Sequence, residues 1–352
     1  MTSAILVPDL DIRVNGTRLP ANAQDDIQSV SVVEDLNALS MFTVVLYNWD
    51  QEKLAVSWSD AKLFAIGADV KISLGTVDDV HPVMTGEITS LEPAFTADEP
   101  PTLTVRGYDH RHRLARSQKT RTFARMKDSA IASQVAMAGG LRAKVVDTKI
   151  THEYVVQHNQ TDLEFLRKRA RLIGYEVYVR DKVLYFQPPQ HAKPAAATLR
   201  IGEEITEFTP RLQTLNQVGE LSVRGWDMTA KKVLVGKAAA GSESTLMGGK
   251  SSGPARTKKA FGKADAISVD VPVPTKAQAD GMARQRFDEH ALTYIQGEVE
   301  CAGNPQLQAG TVVKIQGAGD TFSGAYYITS VTHSVNPGAG YRTRLEVRRN
   351  AT

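Results

Sequence analysis

Few residues of this chain have types and spacing that could do chemistry, and the first candidates are the histidines of Asp109-His110-Arg111-His112. Histidines at i and i+2 share a face only in a strand, where they could bind a metal ion together with a carboxylate. Here Arg111, Arg113 and Arg116 stand among them, and a cationic surround repels a metal. We therefore expect a solvated turn or an interface patch and no metal site.

Gly249-Lys250-Ser251 resembles the end of a phosphate-binding P-loop. That motif needs a glycine five positions before Gly249, where this chain has Ser244. No hydrophobic strand leads into the segment and we predict no helix after it, although this frame is what directs backbone N–H groups at a phosphate. The sequence therefore predicts a flexible loop here.

Nucleophilic catalysis is not indicated either. No serine lies in a Gly-x-Ser-x-Gly elbow, and the eight histidines are scattered along the chain. Cys301 is the only cysteine, which excludes an internal disulfide and any metal site built from cysteines. Since its neighbours Glu298 and Glu300 are acidic, we expect a buried packing residue and not a nucleophile. The sequence predicts no catalytic, cofactor-binding or metal-binding residue, and no enzyme.

The composition is typical of a folded globular protein with two or three domains. The 352 residues carry 42 basic and 39 acidic side chains, a net charge of +3, and 42% are hydrophobic. No apolar run reaches the ~18 residues of a membrane-spanning helix. Pro8-Asp9 ends the short apolar run 4–7 before it could form a signal peptide. We expect a protein that folds in the cytosol and has no membrane anchor.

One stretch of the chain is basic, namely Arg106, Arg111, Arg113, Arg116, Lys119, Arg121 and Arg125. Nucleic-acid binding would call for interleaved aromatic side chains and a strongly basic domain. Only Tyr108 and Phe123 accompany the basic residues, and acidic residues balance them elsewhere. We expect no specific nucleic-acid binding, and an interface between subunits fits the stretch equally well.

The elements that would position these residues are mostly strands with one solvent-exposed face, as in antiparallel sheets and barrels. The clearest strands are 28–33, 42–47, 70–74, 102–106, 221–224, 312–315 and 344–348. Helical spacing predicts three helices, which begin near Asp128, at the capping box Thr161–Glu164 and at Thr275. Their expected inner faces are Ile131, Val135 and Ala138; Leu163, Leu166, Ala170 and Ile173; and Ala279, Met282, Ala283 and Phe287. The first two helices and a hairpin of 176–179 with 183–186 would form a compact α/β module.

Residues 236–262 are rich in Gly, Ser, Ala and Lys and contain few apolar side chains that could offset the entropy of ordering. We therefore expect a mobile loop. Its lysines and arginine face a single acid, Glu243, so an acidic surface of another subunit would attract it in an assembly.

Five short segments recur in the same order, which indicates an internal duplication. The first copy contains 25–27, Trp49-Asp50, 67–72, 88–91 and 103–106, and the second contains 203–205, Trp226-Asp227, 310–315, 328–331 and 345–348. We expect Trp49 to superpose on Trp226 and Lys71 on Lys314. Chance likeness among β-rich segments is the alternative.

The duplication predicts an α+β, mainly β fold in which two duplicated antiparallel β-barrel domains have an α/β module between them. The first barrel would span 1–112 and the module 113–190. The second barrel would consist of 191–235 and 299–352. The insertion 236–298 would contain the mobile loop 236–262, then a strand and a helix.

Several motifs resemble the late-control protein D family of phage tail proteins. They are 105–109 with 112–114, 120–123, 156–166 with Arg169, Ala170 and Gly174, 223–227, 324–328 and 331–333. The match spans nearly the whole chain in the right order. This family includes the baseplate hub of T-even phages and is similar to the N-terminal part of the valine-glycine repeat spike proteins.

The resemblance implies a structural baseplate hub of a contractile phage tail or phage-tail-like injection system. It implies a homotrimer whose six similar barrels adapt a three-fold spike to a six-fold inner tube. Since the matched region ends near residue 348, we expect a separate spike protein, besides the inner tail tube or a tube-initiator protein and other baseplate subunits. The expected location is the tail baseplate of a virion or injection particle, assembled in the bacterial cytoplasm. The alternative is a soluble ligand-binding or enzymatic module built on duplicated β-barrels.

Overall fold

The computed structural model describes residues 8–60, 62–76, 79–228, 230–269, 273 and 275–352. Residues 1–7, where we expected the first barrel to begin, lie outside this part. The described part of the chain is mainly β, as predicted, and its largest sheet has 13 strands, nearly all of them antiparallel to their neighbours.

The first barrel is built from consecutive elements. They are β1 (Pro8–Val14), β2 (Thr17–Arg18), α1 (Ala21–Asp25), β3 (Ile27–Asp35), β4 (Met41–Tyr47), β5 (Asp69–Thr76), β6 (Asp79–Ala94) and β7 (Thr102–Asp109). The strand order is β3-β4-β7-β6-β5-β1-β2. Alternate residues of these strands enter one core, which includes Ile12, Val32, Phe42, Ile72, Ile88 and Leu103. Because strands from both ends of the order line the same core, the sheet wraps around it as a barrel does.

The α/β module follows in the chain. Its elements are α2 (Arg111–Leu114), β8 (Gln118–Lys127), α3 (Asp128–Ala138), β9 (Arg142–Val145), β10 (Thr151–Thr161), α4 (Asp162–Ile173), β11 (Glu176–Arg180) and β12 (Val183–Gln187). The predicted capping box of α4 is confirmed, because the Thr161 side chain accepts from the Glu164 N–H and the Glu164 carboxylate accepts from the Thr161 N–H. Leu166 is fully buried against the β11–β12 hairpin, also as predicted. Ala138, placed on the inner face of α3, is instead exposed at the helix end.

The rest of the chain forms the second barrel and a smaller sheet. The elements are β13 (Ala197–Arg200), β14 (Ile205–Leu212), β15 (Glu220–Asp227), β16 (Lys232–Ala239), α5 (Gly253–Phe261), β17 (Asp265–Ser268), α6 (Lys276–Ala291), β18 (Ile295–Ala302), β19 (Val312–Gln316), α7 (Gly319–Phe322), β20 (Gly324–Asn336) and β21 (Gly340–Arg349). The barrel strands follow the order β14-β18-β21-β20-β19-β13. The inner face predicted for α6 is buried.

The predicted duplication is present in the strand order, since β3-β4-β7-β6-β5 and β14-β18-β21-β20-β19 have the same connectivity. Details repeat as well. Gly67 donates its N–H to Ile88 O at 2.8 Å, and Gly310 donates to Ile328 O at 2.8 Å. Both isoleucines precede a bulge in the ladder to the next strand. Lys71 pairs with the residue three before the first isoleucine and Lys314 with the residue three before the second, so their predicted equivalence is confirmed.

The predicted equivalence of Trp49 and Trp226 is wrong. The strand β15, which carries Trp226, pairs with β16 and β17 in a separate sheet and not with the second barrel. Leu221 and Val223 of β15 are buried there against α6, in a core of their own. The true counterpart of β4 is β18, and β15 resembled β4 only locally, through β-branched alternation and a terminal Trp-Asp.

The segment 236–262 is not the structureless loop that its composition predicts. Its first residues end β16, and Gly253–Phe261 form α5 behind the N-cap Ser252. Gly236 permits close packing, because a Cβ there would lie 2.1 Å from Ala279 O of α6. Met247 is buried in the core of the second barrel. The small residues therefore serve close approach between elements in this segment.

Among the described strands, one antiparallel ladder joins the two barrels, and we call it the seam. In it β20 pairs with β3, from Ser330 opposite Asp35 to Val335 opposite Val30. The seam makes the strands of both barrels one continuous sheet.

Candidate assembly interface

The centre of the seam is buried. Val331 and His333 of β20 and Val32 of β3 have no exposed surface. Leu36 donates its N–H to Thr329 O at 3.2 Å, and the Ser330 hydroxyl donates to Glu34 O at 3.1 Å. The contact between the two barrels of the chain is thus a strand ladder with a buried inner face.

Arg180 of the α/β module ties both sides of the seam together. Its guanidinium donates to Ala309 O at 3.0 Å in the second barrel and lies 3.5 Å from the Glu34 carboxylate in the first. The Ala309 N–H donates to the same carboxylate at 3.1 Å. Burial raises the pKa of Glu34, while Arg180 and the Ala309 N–H oppose that rise. The three parts of the chain are therefore held in one hydrogen-bonded cluster.

The segment around His110 is buried, so our expectation of a solvated turn is wrong. Arg111 has no exposed surface; it donates to Asp109 Oδ2 at 2.8 Å, to Ser40 Oγ at 2.8 Å and to Asp35 O at 3.0 Å. These acceptors compensate the desolvation of a buried cation. Two of the three acceptors, Asp35 and Ser40, lie at the end of β3 and in the turn before β4, and sequence spacing does not reveal that they are close to Arg111.

His110 does lie near two carboxylates, since ligand atoms of Asp69, Glu87 and His110 fall within 4.8 Å of one another. Both carboxylates already have cationic partners. Lys182 lies 2.8 Å from Asp69, and Arg113 and His112 bind Glu87. Burial opposes the ionisation of Glu87, but the hydrogen bonds from Arg113 and His112 outweigh it and lower the pKa. The cluster is a charge-balanced ion-pair network that connects the first barrel to the module.

The backbone of Gly249-Lys250-Ser251 is engaged by the C-terminal residues. Lys250 and Ser251 donate their N–H groups to Thr352 O at 2.9 and 3.1 Å, and Gly253 donates to Asn350 O at 2.8 Å. A helix, α5, does follow the segment, contrary to our prediction. The first amides of α5 nevertheless already have partners in the protein, since Gly253 donates to Asn350 O and Ala255 donates to the Ser252 hydroxyl, so this arrangement does not favour phosphate binding.

The basic stretch is mostly paired within the chain. The ion pairs are Arg106–Glu92, Arg111–Asp109, Arg113–Glu87, Lys119–Asp162, Arg121–Asp162 and Arg125–Glu153. Lys119 and Arg121 of β8 both reach Asp162 at 2.6 Å, at the start of α4. These cations therefore hold strands and helices of the module and the first barrel together.

Cys301 is the buried packing residue that the sequence predicted. It has no exposed surface, and its Sγ lies 3.5 Å from Thr343 O. Burial raises the pKa of the thiol to about 12, which keeps it protonated and unreactive at neutral pH.

Two strand edges are the functional candidates that sequence reasoning missed. The first, the β6 edge, is residues 90–95, of which 92–95 are exposed and Phe95 is 60% accessible. The second, the β14 edge, is residues 208–213, where partly buried and exposed residues alternate from Phe208 to Leu212. In the described part of the chain neither edge has a second neighbouring strand. The available signal was a proline in each, Pro93 and Pro210, because prolines inside strands are confined to edges and bulges.

The fold has relatives among solved structures, although a comparison with curated protein sequences finds no match. The chain is similar to a 43 kDa tail protein of prophage MuSo2 from Shewanella oneidensis, with a TM-score of 0.72 and 15% identity over 97% of this chain and 98% of that chain. It is similar to a tail protein from Neisseria meningitidis MC58, with a TM-score of 0.71 and 14% identity over 97% of each chain.

A third similar structure is the E. coli c3393 protein, a type VI secretion component described as structurally similar to the T4 tail proteins gp27 and gp5. Its TM-score is 0.60 and its identity 14%, over 97% of this chain and 77% of that chain. These likenesses establish a fold shared with tail proteins. No described helix combines the length and apolarity needed to cross a membrane.

The family comparison corrects the resemblance drawn from the motifs. The model that matches is not that of the late-control protein D family. It is described as the Alg8 N-terminal domain and aligns to residues 5–337, nearly the whole chain. The chain therefore belongs to the Alg8 N-terminal domain family.

Proposed function

We propose that this protein is the structural baseplate hub of a contractile phage tail or phage-tail-like injection system. In this proposal three chains form a ring that adapts a three-fold spike protein to a six-fold inner tube. The observation that carries it is the duplicated strand order, because two similar barrels in each of three chains present six similar units. The similarity in fold to prophage tail proteins supports the same class of role.

The division of labour follows the strand order. The first barrel, within 1–112, and the second barrel, built from β13, β14 and β18–β21, would form the ring. The α/β module, within 113–190, would brace each pair of barrels through Arg180. The spike, the tube or a tube initiator and other baseplate subunits would bind the two faces of the ring, in the baseplate of a particle assembled in the bacterial cytoplasm.

A ligand-binding or enzymatic module is the weaker alternative. The described interior of the first barrel is filled by Phe42, Leu46, Ile72 and Leu103, each without exposed surface. In the second barrel Cys301 is buried in the core at the position that corresponds to Leu46, because Cys301 pairs with Ile205 as Leu46 pairs with Ile27. Packed interiors favour a structural role, because a barrel that binds a ligand keeps a cavity or an open mouth.

Light scattering coupled to gel filtration tests the proposal. The full chain is expected to elute with three times the mass of one chain, and electron-microscopy class averages should show rings of six similar lobes. A chain that stays monomeric at every concentration and ionic strength would contradict the hub.

A further inference from the structure

The two unpaired edges correspond to the two strands that the seam joins within the chain. The distal part of β6 corresponds to β20, because the shared bulge aligns Ser90 with Ser330. The strand β14 corresponds to β3, because a bulge follows Ile27 and Ile205 alike. The seam strands are largely buried, whereas their counterparts are exposed. The contact between β20 and β3 is therefore made within the chain, while the equivalent contact between the β6 edge and the β14 edge is not.

We propose that the β6 edge of one copy pairs antiparallel with the β14 edge of a second copy, in the register of the seam. This deepens the proposed hub and rests on it. Transferred from the seam, the register sets residues of one copy opposite residues of the neighbouring copy as Ser90–Gln213, Leu91–Leu212, Glu92–Arg211, Pro93–Pro210, Ala94–Thr209 and Phe95–Phe208.

The side-chain pattern of both edges fits this register. In the seam Val331 and His333 face the core opposite Glu34 and Val32, and the alternate residues face outward. The corresponding inward pairs between copies are Leu91–Leu212, Pro93–Pro210 and Phe95–Phe208, all apolar. The outward pairs are Ser90–Gln213, Glu92–Arg211 and Ala94–Thr209, which are polar or small. A slip by one residue would oppose apolar to polar side chains throughout.

Charge favours the same register on the outer face. Glu92 and Arg211 are both exposed, and they become direct cross-strand neighbours. Glu92 already lies 3.0 Å from Arg106 on the adjacent strand, so Arg211 would place its carboxylate between two cations.

The two prolines explain how the edges stay unpaired in a single chain. The bond from Leu36 N–H to Thr329 O makes alternate seam pairs hydrogen-bonded, and Val32–His333 is one of these. Pro93 and Pro210 occupy the positions that correspond to His333 and Val32. Because a proline has no N–H to donate, each edge is protected against pairing with unrelated strands. Opposite each other they make an apolar contact, while Leu91–Leu212 and Phe95–Phe208 supply the ladder bonds.

Pairing of this kind is head-to-tail, since each copy offers two different edges. Head-to-tail contacts form closed rings when the rotation between copies closes. Every copy then uses both edges, and the ring leaves neither strand bare.

A cysteine pair tests the register in the full chain. Glu92 and Arg211 would form a non-hydrogen-bonded pair, with Cα atoms about 4.5 Å apart, within disulfide range. In the Glu92→Cys/Arg211→Cys variant, mild oxidation should convert most of the protein into a covalent closed trimer on non-reducing gels. The off-register pair Glu92→Cys/Thr209→Cys is the matched control and should give at least ten-fold less. Each single variant should give dimers at most.

Charge reversal provides a second readout. Arg211→Glu should weaken self-association at least ten-fold, and the added Glu92→Arg should restore it; Arg125→Glu, an exposed position away from both edges, should change nothing.

The outcomes separate the two proposals. A wild-type trimer without the in-register cross-link overturns the edge pairing and leaves the hub. Open cross-linked chains that never close support the pairing and contradict the trimer. A wild-type monomer that forms no cross-link overturns both.

Discussion

The hydroxyl of Tyr327 donates to the Glu176 carboxylate at 2.7 Å, which joins strand β20 of the second barrel to β11 of the α/β module. Burial raises the pKa of Glu176 to about 7, although the Tyr327 hydrogen bond opposes the rise. The folded state therefore holds a proton at this junction that the unfolded chain releases near pH 4.5.

Replacing Glu176 by Gln should stabilise the protein at high pH only. Because the folded-state pKa is raised, the stability that the protonated acid contributes is present below pH 4.5 and is lost as the pH rises through about 7. Denaturant unfolding should show Glu176→Gln equal to wild type at pH 4.5. At pH 8.5 the variant should gain roughly 3 kcal/mol at most, since the side chain is only partly shielded from solvent. The exposed Glu153→Gln is the control, and an equal gain in it would contradict this account.

His333 should make the folded protein less stable as the pH falls, which is the opposite of the effect of Glu176. Burial lowers its pKa to about 4, against the raising effect of Leu307 O. The stability of the neutral ring is present above the unfolded pKa near 6.5 and is lost as the pH falls towards 4. Between pH 7 and 5, wild type should lose about 2 kcal/mol more than a His333→Gln variant. Because the substitution also changes packing, the quantity to compare is the slope of the unfolding free energy against pH and not its absolute value. Equal slopes for wild type and His333→Gln would contradict the prediction.

Leu166→Ala should destabilise the α/β module by about 2–5 kcal/mol, because the side chain is fully buried and its removal leaves a cavity. Leu215→Ala is the matched control. That leucine is 91% exposed, and its truncation should change the free energy of unfolding by less than about 0.5 kcal/mol. Thermal and denaturant unfolding measure both, and similar losses would show that burial does not set the cost.

Gly67→Ala and Gly310→Ala should lower the free energy of unfolding by the same amount. Their φ angles are 84° and 83°, in the left-handed region that an alanine enters at a cost of about 1–2 kcal/mol. Space is not limiting at either position. Gly281→Ala, inside α6 and with open space around it, should instead stabilise the protein by roughly 0.5–1 kcal/mol. Unequal losses at Gly67 and Gly310 would show that the two turns are not equivalent.

Local signals predicted the fold well where the determinants are local. The capping box of α4 and the apolar stripe of α6 lie within one helix each, so spacing alone places them. The partner of a strand is not local. Trp226 resembles Trp49 in its flanking residues, yet the second-barrel counterpart of β4 is β18, which begins about 70 residues after Trp226.

The candidate interface was largely hidden from the sequence for a related reason. Whether β6 and β14 are edges depends on which strands pair beside them, and that is decided by residues far along the chain. The charge clusters were also misjudged, because the carboxylate of Arg113 comes from Glu87 on β6, and Arg111 is buried by acceptors at Asp35 and Ser40, more than 70 residues before it. Composition likewise failed at 236–262, where glycine and alanine serve close packing against α6.

The seam also constrains the order in which the chain can fold during synthesis. The strands of the first barrel are contiguous in sequence and can pair once residue 109 has left the ribosome. The edge strand β3 of the first barrel then has no partner until β20 is synthesised, more than 200 residues later. Throughout that interval a nascent chain carries an open strand edge, the kind of surface that recruits other chains. Fragments truncated before Gly324 would keep that edge permanently, so they should aggregate where the complete chain does not.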